Sequence, residues 1–247
     1  MSLFRPVLKP DSVIEVAGHP VRLRVNARAK RISLRIDAKA RQVVATSPTP
    51  RGLHDALKFA ESRADWIADR LARVPDARPL RPGLILSVGG EPCRLERAAM
   101  RIAPRLIPAT AAEPMRLVAS GDGEAYGRAA LRALKAEALA RVSDRTAHYA
   151  ARLNQPIPTV AVGDPKGRWG SCKPAARGRS AVIRYSWRLV LAPAWVLDYV
   201  AAHEVAHLLE ANHGPQFWAI VHRLYGDPAK TRRWLAAHGA ELQAVTA

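Results

Sequence analysis

Two histidines four residues apart in an apolar run constrain this chain more than any other feature. The segment HEVAHLLEANH runs from His203 to His213. On a helix that advances about 100° per residue, positions i and i+4 lie about 40° apart, so His203 and His207 can grip one metal ion. Glu204 follows the first histidine immediately, which points its carboxylate beside such an ion toward a bound water, the place for a general base. His213 would sit about 240° further round if the helix ran on, so it can join the same ion only after the helix ends. Asn212, Gly214 and Pro215 combine an αL-tolerant residue, a φ-permissive one and a helix breaker, and predict that the chain stops and folds back there.

The stretch from Pro193 to Asn212 reads as a buried helix, with Pro at its start and apolar residues on almost every face. Val196, Val200, His203 and His207 share one stripe. A carboxylate and two imidazoles inside such a helix are costly to bury unless they are paired or hold a metal. The plainer alternative is a core in which the histidines satisfy one another; a third histidine at the right remove speaks against it.

With 247 residues, 49% of them hydrophobic, the chain can build its core without staples. Its two cysteines, Cys93 and Cys172, form no framework pattern, which suits reduced thiols. The first residues lack the apolar run of a secretory leader, and no stretch has the length of a membrane span, so the expectation is a soluble cytoplasmic protein. The formal charge of +18 favours an acidic partner, nucleic acid above all.

Residues 13–47 alternate apolar and basic side chains, as in Val21-Arg22-Leu23-Arg24-Val25, and read as strands of a small antiparallel sheet. Eight basic side chains fall between Arg22 and Arg41, against the single acid Asp37. They make either a surface for an anionic ligand or the solvated side of the sheet, and the second reading is preferred. Thr49-Pro50 caps an amphipathic helix over 51–74, with Leu53, Leu57, Ala60, Ala64, Ile67, Leu71 and Val74 inward. Trp66 is expected to cap the sheet. Residues 75–83 form a breaker-rich linker, and a hairpin follows around Gly89-Gly90, with short strands near 100–107 and 115–118. From Glu124 to about Leu153 the spacing of Tyr126, Ala130, Leu134, Ala138, Val142 and Tyr149 predicts a long helix, and the catalytic half is placed from there on. The expected division is therefore 1–123, basic and β-rich with one helix, and 124–247.

A strand over 158–164 and two antiparallel strands over 167–173 and 181–191 precede the histidine helix. An extended peptide can add to an exposed sheet edge by main-chain hydrogen bonds, which would hold a scissile carbonyl at the metal. Trp187 is read as core, Cys172 as a small core residue. Phe217, Ile220, Val221 and Leu224 give an apolar helix face behind the histidines, and Asp227-Pro228 starts a last helix.

The segments RWGSC at 168–172, SWRLVLAPAWVLDYVAAHEVAHLLEANHGPQFW at 186–218 and RRWLAAHG at 232–239 resemble the YgjP-like metallopeptidase-domain family, itself related to SprT-like and wider zincin proteases. The resemblance implies an α+β fold with a C-terminal zincin-like part, one zinc ion on His203, His207 and His213, Glu204 as acid/base, and Arg168, Trp169, Gly170 and Ser171 close to the active site. The family often has Asn where this chain has Ser186.

The expectation is a zinc-dependent hydrolase acting on protein or peptide, in which Glu204 takes the proton of a zinc-bound water and returns it to the leaving amine. Tyr199, one turn before His203, and Arg168 are candidate oxyanion stabilisers, although packing also accounts for Tyr199. Two rivals stay open: a metal-dependent nucleotide phosphoanhydride hydrolase, and a basic nucleic-acid-binding protein with a structural zinc.

Overall fold

A computed structural model describes residues 8–37, 40–165, 167–176 and 178–247. Residues 1–7, which bear on the expectation about a leader, and Lys39 of the basic stretch lie outside them. The chain divides into two compact units, Met1–Ala77 and Arg78–Ala247.

In the first unit the alternating stretches form β1 (Val13–Val16), β2 (His19–Val25), β3 (Ser33–Asp37) and β4 (Gln42–Ser47). Val21, Leu23, Val43 and Ala45 are fully buried. Arg24 and Arg35, on the opposite face, are exposed, and Arg22 pairs with Asp11 at 2.8 Å. The order is β1-β2-β4-β3, with β2 and β4 parallel, so the sheet is mixed where an antiparallel one was expected. The run Val43-Val44-Ala45 is buried along its length and takes the central place, flanked by a strand on each side. The chain must then skip a position after β2, and β4 returns in the same sense as β2.

The expected helix over 51–74 is interrupted. Thr49 Oγ1 accepts from Gly52 N–H at 3.2 Å and Pro50 opens a 3₁₀ turn, as the capping pattern implied. Then come α1 (Leu53–Glu61) and α2 (Ala64–Ala72), broken where the Ser62 hydroxyl bonds Phe59 O at 2.9 Å. After the break Ile67 and Leu71 take the buried side, which leaves Trp66 37% exposed beside Arg70 instead of capping the sheet.

The second unit runs β5 (Arg78–Pro79), β6 (Ile85–Val88), β7 (Glu91–Arg97), β8 (Arg105–Ile107), β9 (Met115–Ala119), α3 (Gly123–Arg152), β10 (Thr159–Gly163), β11 (Gly170–Lys173), β12 (Val182–Ser186), α4 (Ala194–Ala206), α5 (Pro215–Leu224), α6 (Ala229–Ala244) and β13 (Val245–Thr246). The described residues thus form a mixed α+β protein of several small sheets and six α-helices. All six residues that mark the inner stripe of α3 are buried. The expected division at 123/124 falls inside this unit, because Leu86, Val88, Leu95 and Leu117 of the preceding strands share one apolar cluster with Tyr126, Ala130 and Leu134. The linker is correspondingly shorter, since Arg78–Pro79 pairs in parallel with β13.

The hairpin β6–β7 turns at Gly89 and Gly90, with φ of 68° and 102°. Gly89 N–H bonds Val190 O at 2.7 Å, and Ala194 N–H bonds Gly89 O at 3.1 Å, so the turn seats the start of α4. The sheet before α4 has order β10-β12-β11, with β10 parallel and β11 antiparallel to β12. β11 and β12 are antiparallel to each other as expected, and β10, joining in parallel, makes the sheet mixed instead of antiparallel throughout. The strand expected over 181–191 stops at Ser186, whose hydroxyl accepts from Arg188 N–H and starts a 3₁₀ turn over Trp187–Leu191. Trp187 is a core residue, 1% exposed. Among the described residues no helix is long and apolar enough to cross a membrane.

Candidate metal centre

Helix α4 is buried on nearly every side, and it ends sooner than the apolar run suggested. Ala206 is its last residue and His207 its C-cap; Leu209 and Glu210 N–H groups both bond Ala206 O at 3.1 Å, closing the last turn. Gly214 has φ −78° and Pro215 is the first residue of α5. The fold-back to His213 is therefore not made by left-handed residues at 212 and 214. The helix has already ended, and Pro215 starts the next one in a position where its missing N–H costs nothing.

This early stop brings three imidazoles together. One ring nitrogen from each of His203, His207 and His213 lies within 4.8 Å of the others. His203 Nε2 and His213 Nε2 are 3.1 Å apart. His207 Nδ1–H donates to Glu210 O at 2.8 Å, which fixes the tautomer and leaves Nε2 as a lone-pair donor. Burial, then the neighbouring imidazoles and Arg232, lower the His203 pKa to about 4, so its ring is neutral at ordinary pH. Neutral nitrogen donors converging in this way could hold one metal ion.

Phe217 supports the whole cluster. Fully buried on α5, its ring lies 4.9 Å from His203, 4.5 Å from His207 and 4.6 Å from His213, stacked on the second and edge-on to the others. Tyr199 is buried one turn before His203, and its hydroxyl faces His203 Nδ1 at 3.5 Å, on the far side of the ring from the converging nitrogens. Tyr225 packs on Tyr199 at 5.4 Å, donates to Trp195 O at 3.1 Å and lies 2.8 Å from the buried Thr231 hydroxyl.

Glu204 is 6% exposed. Burial raises its pKa to about 7, and Arg168 draws it back part of the way. The backbone of β11 runs against it: a Cβ on Gly170 would stand 2.5 Å from Oε1, 2.6 Å from Cγ and 2.7 Å from Cδ. Any side chain at this position would have to displace the carboxylate. Burial also raises the Cys172 pKa to about 11, with Glu204 adding to it.

Of the residues expected near the site, Gly170 is in contact with Glu204, and Arg168 is exposed with its charge bearing on that carboxylate. Trp169 is half-buried and lies against the position a Cβ on Gly239 would take, at 3.1 Å, in the core behind the site. Ser171 sits on β11 opposite Arg184. Phe217 was expected on an apolar face behind the histidines, whereas Trp218, Tyr225 and Arg232 were not singled out beforehand. Only Phe217 left a signal, as an aromatic two residues after Pro215 on the predicted apolar face.

Three imidazoles converging beside a buried carboxylate are the kind of set that metal-dependent hydrolases use. A family model described as "YgjP-like, metallopeptidase domain" matches residues 30–238, and the chain belongs to that family. It is accordingly a metal-dependent hydrolase. Comparison with the curated proteins gives no match. Among solved structures, the metallopeptidase zymogen of Pyrococcus abyssi, abylysin, aligns at 17% identity over 43% of this chain and 99% of its own, with a TM-score of 0.33, too low to support a shared fold.

Proposed function

We propose that the chain is a zinc metallopeptidase, with a zincin-like catalytic part, in which His203, His207 and His213 hold one zinc ion and Glu204 is the general base. The convergence of the three ring nitrogens within 4.8 Å carries this reading. The donor set fits the ion: three imidazole nitrogens suit zinc better than hard cations, which prefer oxygen. Bound zinc would supply Lewis acidity, polarising a carbonyl and easing deprotonation of water.

The chain's own groups do the rest. Glu204 accepts a proton from the attacking water as the new C–O bond forms, and then passes it to the amine nitrogen, so that the peptide C–N bond breaks and the amine leaves. Gly170 leaves room for that carboxylate, and the neighbouring backbone of β11 limits where it can go. Tyr199 and Phe217 hold the imidazoles in place. Among the described residues β11 pairs on one side only, with β12, so its other edge offers main-chain groups to an extended peptide of any sequence. Arg168 is the candidate for charge developing on the scissile carbonyl.

The test is cleavage of an unfolded protein by zinc-loaded enzyme, with a nucleoside triphosphate offered in parallel. Loss of cleavage in Glu204→Gln, with one zinc still bound, supports the reading. Triphosphate hydrolysis without peptide cleavage overturns it, as does zinc retention at full stoichiometry in His213→Ala.

A further inference from the structure

Arg232 stands at the rim of the histidine cluster with no role in the chemistry above. Its guanidinium lies 5.3 Å from the centroid of the Trp218 ring. That ring is itself 6.1 Å from both His203 and His213. Among the described residues the indole is its one recorded partner, and the side chain is exposed.

The backbone at Arg232 is anchored rather than loose. Its neighbour Thr231 is 1% exposed and bonds Tyr225, which packs on Tyr199, which packs on His203. Arg232 N–H closes the first turn of α6 on Pro228 O at 2.9 Å. A guanidinium resting on an indole keeps its edge of N–H groups free, and that edge matches a carboxylate in two parallel hydrogen bonds.

We infer that Arg232, seated on Trp218, is a substrate-anchoring cation that takes a carboxylate of the peptide close to the scissile bond. The inference rests on the peptidase reading for its substrate class and on the site's own geometry for its location. The carboxylate can come from an acidic side chain or from a free C-terminus, and the two sources are separable.

The experiment compares peptides of equal length in three versions: an internal Glu, the same position as Gln, and Gln with a free instead of an amidated C-terminus. A charge-assisted pair predicts that one carboxylate version exceeds the amide version about ten- to hundredfold in kcat/KM, mainly through KM. Arg232→Gln brings the versions within about twofold of one another. Arg232→Lys restores only part of the preference, because a point charge lacks the planar fork. Binding is read without turnover in zinc-loaded Glu204→Gln: the carboxylate peptide changes tryptophan emission, and the change is absent in added Arg232→Gln or Trp218→Phe. Equal cleavage of all versions by the parent enzyme, or a preference that survives Arg232→Gln, overturns the inference. If no peptide is cleaved but the Arg232-dependent emission change remains, the peptidase reading fails and the carboxylate site stands.

Discussion

Replacing Gly170 by alanine tests the link between β11 and Glu204 most directly. The new methyl group would lie 2.5–2.7 Å from three atoms of the Glu204 side chain, whereas carbon atoms in ordinary contact stand about 3.5–4.0 Å apart. One side must yield by about 1 Å. The strand is the harder to move, because Gly170 is in register with Tyr185, which is 1% exposed and 2.9 Å from the buried Thr146 hydroxyl. The carboxylate therefore retreats. A displacement of about 1 Å at a reacting group costs on the order of a hundredfold in rate. Overpacking costs a further ~1–3 kcal/mol of stability, and each kcal/mol lowers Tm by roughly 2–4 °C in a chain of this size. Gly163→Ala on β10 is the matched control, since a Cβ there meets nothing within 4 Å. The expected result is a fall of about two orders of magnitude in kcat with zinc still bound one to one. Parental kcat in Gly170→Ala, or loss driven by release of zinc, would refute the placement of the carboxylate against the strand.

Phe217→Ala removes the ring that all three imidazoles touch. Zinc affinity should fall about ten- to a hundredfold in a chelator competition, and unfolding should be easier by ~3–5 kcal/mol; an unchanged affinity contradicts the supporting role. Zinc itself should raise thermal stability by about 4 kcal/mol when present at a thousand times its Kd, and His207→Ala should abolish that gain in a melting curve. Cys93 and Cys172 both have their pKa pushed up to about 11, chiefly by burial. At pH 8 only roughly one thiol in a thousand is then ionised, so a thiol reagent should label the native protein far more slowly than the unfolded one. Rapid labelling of either in the native state would show the site to be open.

Much of the fold was legible because local patterns and burial agree. The stripe on α3 from Tyr126 to Tyr149 is buried as its spacing predicts, and the Thr49 cap and the Gly89-Gly90 hairpin follow from turn and cap chemistry. The errors share another cause. The sense of β4, the length of the strand before Trp187 and the extent of the first helix depend on which neighbour each segment meets. β4 lies between β2 and β3 and is the most buried of the four strands, an outcome that periodicity within one strand does not give.

By itself, the order of residues determined that His203 and His207 share one face, since a helical repeat of about 3.6 residues places them together in any fold that keeps the helix. It also located the carboxylate, one residue on from the first of them. Only the tertiary structure decided that α4 stops at Ala206 in time for His213 to return, that Phe217 backs all three rings, that β11 runs against Glu204, and that Arg232 comes to the rim on Trp218. These are contacts between segments far apart in the chain, chosen by packing and by the pairing of buried polar groups, and neither force leaves a periodic mark on either segment alone.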